Sequence, residues 1–304
     1  MSEIVRIVPF VKLVLSNLSR YAIYKLKQPL IWDQYYTALR YPKIESLVPQ
    51  NNRIHEFIEG ELKKQNFDLI NLKIDVNDYK NWKQKAQYKK MWFYYFRYGL
   101  GKNIAEKSLE HYLAAKLLDL SKTDVYVDVA SGGSPAAEIY QRVYGCKSYM
   151  QDLMFPRGIS QNVIGGNACN MPVRDGFASK MALHCSFEHF EGNSDIEFIR
   201  EANRVLKRGG RLCVVPLYLF PKYAIQTDPT VLPMGAFQFD KDPILFCSKK
   251  YWGKRHGRFY DVPHFISRIV NNQGRLRLTL YKVQNEKQID PSCYVKFIAL
   301  FEKR

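Results

Sequence analysis

An apolar, β-rich run from Val125 to Val129 leads directly into five small residues, Ala130-Ser131-Gly132-Gly133-Ser134. Pro135 then stands at a natural first helical position, and a helical pattern continues through Ile139 and Val143. A strand, a small-residue turn and a helix start make a cofactor cradle. Small residues let the backbone approach a ligand closely, and free N–H groups at the helix start point toward it. Beyond Gly132, the short run KSYMQD ends in Asp152. A carboxylate at the tip of a second strand is placed to hold both hydroxyls of a ribose.

Further along, NVIGGNACNMPVRDGF reads as a third strand with Asn167-Ala168 at its tip. SKMALHCSFEHF reads as a fourth strand ending near His184, followed by Glu188-His189. His184, Glu188 and His189 thus gather at the C-terminal strand edge, where α/β sheets bind ligands. These types suit acid–base work, with His189 as a base and Glu188 orienting it. Each also has a plainer use: Glu188 and His189 can cap the next helix, and His184 can pack against a cofactor. The HxxxEH spacing straddles a strand end and a loop rather than one helix face, so no metal is expected. The six cysteines form no CxxC pair and several sit in apolar runs. They read as reduced thiols of a cytoplasmic protein.

The elements that must position these residues follow an α/β alternation. AEKSLEHYLAAKLLDL at 105–120 reads as an amphipathic helix, with Leu109, Leu113, Leu117 and Leu120 at helical spacing. DIEFIREANRVLKRGG reads as a helix with Ile196, Ile199, Ala202, Val205 and Leu206 inward and Gly209-Gly210 as its stop. RLCVVPLY is a fifth strand, and LRLTLYKV and CYVKFIALFEK are the last two.

The ordered set VDVASGGSP, GNACNMPVRDGFASK, FEHF and RVLKRGGRLCVVP resembles the class I S-adenosylmethionine-dependent methyltransferases. It is most similar to the group with a short methyltransferase domain ending in a leucine–lysine–glycine–glycine signature. The resemblance is detailed over residues 105–217 and looser to the C-terminus. It implies a Rossmann-like, seven-stranded α/β sheet of order 3-2-1-4-5-7-6, with the last strand antiparallel and a helical N-terminal extension. The implied division is an extension and substrate lid at 1–104 and a methyltransferase domain at 105–304. S-adenosyl-L-methionine is the implied cofactor. Its implied contacts are Asp128, Ala130, Ser131, Gly132, Gly133, Ser134, Asp152, Leu153, Asn167, Ala168 and His184. A nicotinamide-type dehydrogenase would want GxGxxG, whose third glycine position holds Pro135 here.

The chain departs from the family's pattern in places. Ala130 and Ser134 stand where glycine is usual; both are small, and the turn tolerates them where φ is negative. Asn167 replaces an aspartate at the adenine tip, and its oxygen can still accept a hydrogen bond. Ala178-Ser179 replaces the usual Phe-Asp pair.

The 304 residues carry 46 Lys+Arg against 29 Asp+Glu, a net charge of +17. Counted in segments, residues 1–124 hold +8, 125–220 hold +1 and 221–304 hold +8. A near-neutral middle flanked by basic ends suits an anionic acceptor better than a uniform nucleic-acid coat. The segment at 80–103 interleaves Trp82, Tyr88 and a run of aromatics with Lys83, Lys85, Lys89, Lys90 and Arg97. It reads as a pocket wall or lid, and the basic stretch with Lys254, Arg255, His256 and Arg258 as a grip for phosphate or carboxylate. The expected activity is methyl transfer to a small-molecule or glycan-type, anionic acceptor. RNA methylation is an alternative for a basic, aromatic-rich chain, although the fourth strand lacks an Asn/Asp-Pro-Pro-aromatic motif. A non-catalytic protein that keeps the fold is a third reading, motivated by Ala130, Ser134 and Asn167. Residues 9–27 pattern as a basic amphipathic helix, suited to docking on its own domain or on a second subunit, or to peripheral contact with the inner face of an anionic membrane.

Overall fold

The computed structural model describes residues 52–90, 103–227, 240, 242–247 and 256–304. The amphipathic stretch 9–27, the aromatics at 92–98, and Lys254 and Arg255 lie outside the described residues. Among the described residues no helix is long and apolar enough to cross a membrane.

The elements, in chain order, begin with α1 (Asn52–Lys64), β1 (Leu69–Leu72), α2 (Val76–Ala86) and α3 (Ile104–Leu118). The alternating part is β2 (Val125–Asp128), α4 (Ala136–Tyr144), β3 (Lys147–Asp152), β4 (Gly158–Ser160), β5 (Val163–Gly165), β6 (Ala178–His184), α5 (Ser194–Val205) and β7 (Leu206–Val215). Then come β8 (Ala224–Thr227), β9 (Ile244–Cys247), β10 (Gly257–Phe259), α6 (Val262–Arg268), β11 (Leu276–Val283) and β12 (Phe297–Lys303). The main sheet has nine strands in the order β1-β11-β12-β7-β6-β2-β3-β5-β4.

Within that sheet, β5-β3-β2-β6-β7-β12-β11 reproduces the expected seven-strand order. β12 runs antiparallel to both β7 and β11, while β6, β2, β3 and β5 are parallel. Two strands are additions. β4 pairs antiparallel with β5 through a turn in which Gln161 takes φ +51°. β1 pairs parallel with β11, Leu69 opposite Leu280, so the sheet draws in the segment before residue 104. A separate sheet, β10-β8-β9, forms between β7 and α6.

Both faces of the main sheet are covered, as parallel strands require. On one face Met181, Leu183, Val127 and Leu212 pack with Phe198 and Ile199 of α5 and Phe265 of α6. On the other, Ala182, Cys213, Tyr126 and Met150 pack with Leu109 and Leu113 of α3 and Ile139 of α4. Helix α3 was expected to be amphipathic, but Glu106, Lys107, Glu110 and His111 are buried along with its leucines. It lies between α2 and the sheet, so both of its sides face protein.

The Gly209-Gly210 pair does not stop α5. The helix ends at Val205, with Leu206 already extended, and the glycines lie inside β7. There the register with β6 shifts, Ala178 opposite Leu206 but Lys180 opposite Arg211. Gly209 has φ +73°, and a Cβ on Gly210 would meet the Lys207 and Ser179 carbonyl oxygens at 2.8 and 3.0 Å. The pair forms a bulge that bare backbone alone can occupy.

Candidate active site

The turn after β2 is held by β3. The Ala130 N–H donates to Gln151 Oε1 at 3.1 Å, and the Ser131 N–H donates to the Gln151 carbonyl at 3.0 Å. The Gly132 N–H donates to Asp152 Oδ2 at 2.7 Å, while Asp152 Oδ1 accepts from the Met154 N–H at 3.0 Å. Gly132 and Gly133 take φ of +55° and +82°, the left-handed region where glycine is at ease. Ala130 also takes a positive φ, +48°, contrary to the expectation of a negative angle. An alanine there carries strain of about 1–2 kcal/mol, held in place by its own N–H bond to Gln151 and that of the following Ser131.

A cavity of about 570 Å³ opens beside this turn, lined by Ala130, Asp152, Leu153, Asn167, Ala168 and His189 among others. Asp152 is 6% exposed, and Leu153 presents an exposed apolar side chain at the rim. Asn167 Oδ1 accepts from the Cys169 N–H at 2.9 Å and keeps a second lone pair. Ser131 Oγ is buried and has no hydrogen-bond partner among protein atoms. A bare-backbone turn, a carboxylate with spare acceptor capacity, an unpartnered hydroxyl and a cavity of ligand size together fit an adenosine-bearing cofactor. Held there, its ribose would face Asp152 and its adenine the Leu153, Asn167 and Ala168 wall.

Not all the expected cofactor contacts converge on the cavity. Ser134 is buried and turns inward, its Oγ accepting from the Ala136 N–H and lying 3.4 Å from His111 Nε2. Asp128 is fully buried, 3.3 Å from the Tyr126 hydroxyl. His184 lies behind the sheet: its Nε2 is 3.1 Å from the Tyr126 hydroxyl and 3.8 Å from Asp128 Oδ1. Its ring meets His111 edge-on at 4.6 Å. Burial pushes the His184 imidazole down to about 3, so it stays neutral.

His189 stands on the cavity wall and remains open, its side chain 45% exposed. Its Nδ1 is hydrogen-bonded to the His256 carbonyl, so that nitrogen carries the proton and Nε2 holds a lone pair. Glu188 Oε1 lies 3.5 Å from His189 Nε2. Glu188 is buried, and its Oε2 has no hydrogen-bond partner among protein atoms. The pair therefore has an accessible proton acceptor with a carboxylate poised to hold the imidazolium.

A buried group beside this pair escaped the sequence reading. Lys107 Nζ donates to both carboxylate oxygens of Glu110 at 2.9 Å. Burial pushes Glu110 up to about 8; Lys107 pulls against this, while Glu106 and Glu188 add to it. Cys185, at the end of β6, sits at φ +52° with its Sγ 3.2 Å from both Glu188 Oε1 and the Tyr218 hydroxyl. The usable signal was Glu106, Lys107 and Glu110 falling on the same turns as Leu109 and Leu113, charges where α3 has no solvent face.

The basic C-terminal run is used differently from the expectation. Arg258 is fully buried, 3.2 Å from Asp195 and 3.1 Å from Asp240. It donates to the Phe190 and Gly192 carbonyls at 2.7 Å each, and so fixes the loop that walls the cavity. His256 is buried too, its Nδ1 on the Glu188 carbonyl at 2.9 Å. Neither side chain is available to grip an anion.

Residues 127–214 match the family described as a methyltransferase domain. No curated protein matches the chain. Several solved structures are similar to it at low identity. One is a 1,6-didemethyltoxoflavin-N1-methyltransferase from Burkholderia thailandensis with bound S-adenosylhomocysteine, at 10% identity and TM-score 0.45, covering 76% of this chain and 91% of that one. Another is a geranyl diphosphate C-methyltransferase from Streptomyces coelicolor, at 14% identity and TM-score 0.40, covering 65% and 80%. The YcgJ protein of Bacillus subtilis is similar at 14% identity and TM-score 0.40, covering 64% and 98%.

Proposed function

We propose, from the premise that this chain carries a class I S-adenosylmethionine-dependent methyltransferase domain, that it methylates a small-molecule or glycan-type, anionic acceptor. The single observation that carries the reading is the Asp152 carboxylate on the wall of the 570 Å³ cavity, tied to the turn by the Gly132 N–H. S-adenosylmethionine supplies an electrophilic methyl group on a sulfonium. Asp152 accepts hydrogen bonds from the ribose hydroxyls, while Gly132 and Gly133 allow close backbone approach. The Leu153, Asn167 and Ala168 wall takes the adenine.

His189 Nε2 takes the proton of the attacking acceptor atom, with Nδ1–H anchored on the His256 carbonyl. The resulting imidazolium faces Glu188 Oε1 at 3.5 Å. His184 holds no proton for transfer and serves as a neutral packing partner of Tyr126 and His111. Orientation of the acceptor against the methyl group and exclusion of water supply much of the remaining acceleration.

The test is transfer of label from methyl-labelled S-adenosylmethionine into a small-molecule extract by the full-length protein. The reading expects label in low-mass, ribonuclease-resistant product. Label confined to ribonuclease-sensitive material would favour RNA methylation, and no transfer despite cofactor binding would favour a non-catalytic role.

A further inference from the structure

A second, larger cavity of about 750 Å³ lies where α2 meets the start of α3. Lys80 and Lys83 of α2 line it, with Lys89 and Lys90 from the 3-10 turn that follows. The carboxylate on its wall is Asp290, which already accepts from the Ser292 N–H at 2.8 Å. Several lysines outside the cavity are paired: Lys64 with Glu61, Lys107 with Glu110, Lys116 with Asp78, Lys296 with Glu286. Among the described residues none of Lys80, Lys83, Lys89 and Lys90 has a carboxylate within 4 Å. Lys83 is only partly exposed, with its ammonium over the Tyr79 ring at 5.5 Å. Unpaired like charges around one concavity focus a positive potential into it.

Two further features point the same way. Ile104 and Ala105, the first residues of α3, are on the cavity wall, and Asn103 makes no side-chain cap to that helix. The first-turn N–H groups have no intrahelical partner and add partial positive charge. A chain of two buried side chains connects the cavity to the cofactor turn. Tyr88 lines it, the Tyr88 hydroxyl is 2.7 Å from His111 Nδ1, and His111 Nε2 is 3.4 Å from Ser134 Oγ.

We propose that this lysine-lined cavity is an anion subsite that takes a phosphate or diphosphate group of the acceptor. The four ammonium groups match the charge of two linked phosphates. The assignment to an acceptor rests on the methyl-transfer reading above; the anion site itself does not.

The test is calorimetric titration of inorganic pyrophosphate into the full-length protein at low salt, with S-adenosylhomocysteine titrated into the same samples. The expected result is saturable pyrophosphate binding that weakens at least tenfold in the Lys80→Gln/Lys83→Gln/Lys89→Gln/Lys90→Gln variant. The control Lys63→Gln/Lys64→Gln, on α1, should stay within twofold, and S-adenosylhomocysteine affinity should hold in both. Should the fourfold variant fold poorly, the exposed pair Lys89→Gln/Lys90→Gln should still lose about threefold. Pyrophosphate affinity unchanged by these substitutions, or reduced equally by the control, would overturn the site. So would lysine-dependent binding of a single-stranded oligonucleotide without saturable pyrophosphate binding. Lysine-dependent pyrophosphate binding with no S-adenosylhomocysteine binding would keep the anion site and overturn the methyl-transfer reading instead.

Discussion

The Gly132 amide donates to the Asp152 carboxylate across 2.7 Å, although twenty residues of chain separate them. That bond, together with those of the Ala130 and Ser131 amides to Gln151, ties the turn after β2 to the tip of β3 and sets the two halves of the cofactor cradle. Parallel pairing of β2 with β3, Asp128 opposite Met150, brings them together. The same carboxylate keeps acceptor capacity for a ligand, because each oxygen has two lone pairs.

His189 should be needed for transfer but not for cofactor binding. His189→Ala is expected to slow methyl transfer about 100-fold or more while S-adenosylhomocysteine affinity stays within twofold. Steady-state rates against calorimetric affinity check this. An unchanged rate would remove His189 as the base.

Glu110 makes folding stability pH-dependent. Its carboxyl titrates near 4.5 in the unfolded chain and near 8 in the folded protein, chiefly because it is buried. Between those values the folded state holds a proton that the unfolded chain has released. Stability therefore falls as pH rises from about 4.5 to about 8 and is level above that. Glu110→Gln should lack this slope, so denaturation at pH 5.5 and 8.5 should show the wild type losing stability relative to the variant. A pH-independent gap would contradict the assignment.

Ala130 is strained at φ +48°. Ala130→Gly relieves about 1–2 kcal/mol of left-handed strain and gives back about 0.4–1 kcal/mol through the freer unfolded chain. A net gain of about 0–1.6 kcal/mol in urea denaturation is expected. A net loss would mean that the methyl group's packing outweighs the strain.

Arg258 holds the Phe190–Gly192 loop and neutralises Asp195 from a fully buried position. Arg258→Met should destabilise the fold by about 3–5 kcal/mol, since it leaves buried carboxylate and carbonyl groups short of donors. Denaturant midpoints would show it. A shift under 1 kcal/mol would mean that Arg268, 2.7 Å from Asp195, suffices alone.

The turn and Asp152 were legible because each is a local pattern, small residues and an acid at a strand tip, whereas the strand order followed from the family resemblance, since no single segment encodes which strands pair. β1 and β4 were not, because LINL and GIS are too short to stand out and gain stability only as edge strands. The direction of His184 was hidden by the double covering of the sheet. Strand parity puts it on the face of Ala182, toward α3 and α4, while Met181 and Leu183 face α5. Both faces of β6 are apolar, so alternation in the sequence carries no sign of which is which. The buried charges of α3 were masked in the same way, since charges at leucine spacing look like a solvated flank until a second layer covers them.

The most direct measurement is calorimetric titration of S-adenosylhomocysteine into the wild type and into Asp152→Ala. The account predicts one site per chain in the wild type and at least tenfold weaker binding in the variant, about 1.4 kcal/mol. Equal affinity in both proteins, or no binding to the wild type at millimolar ligand, would contradict it.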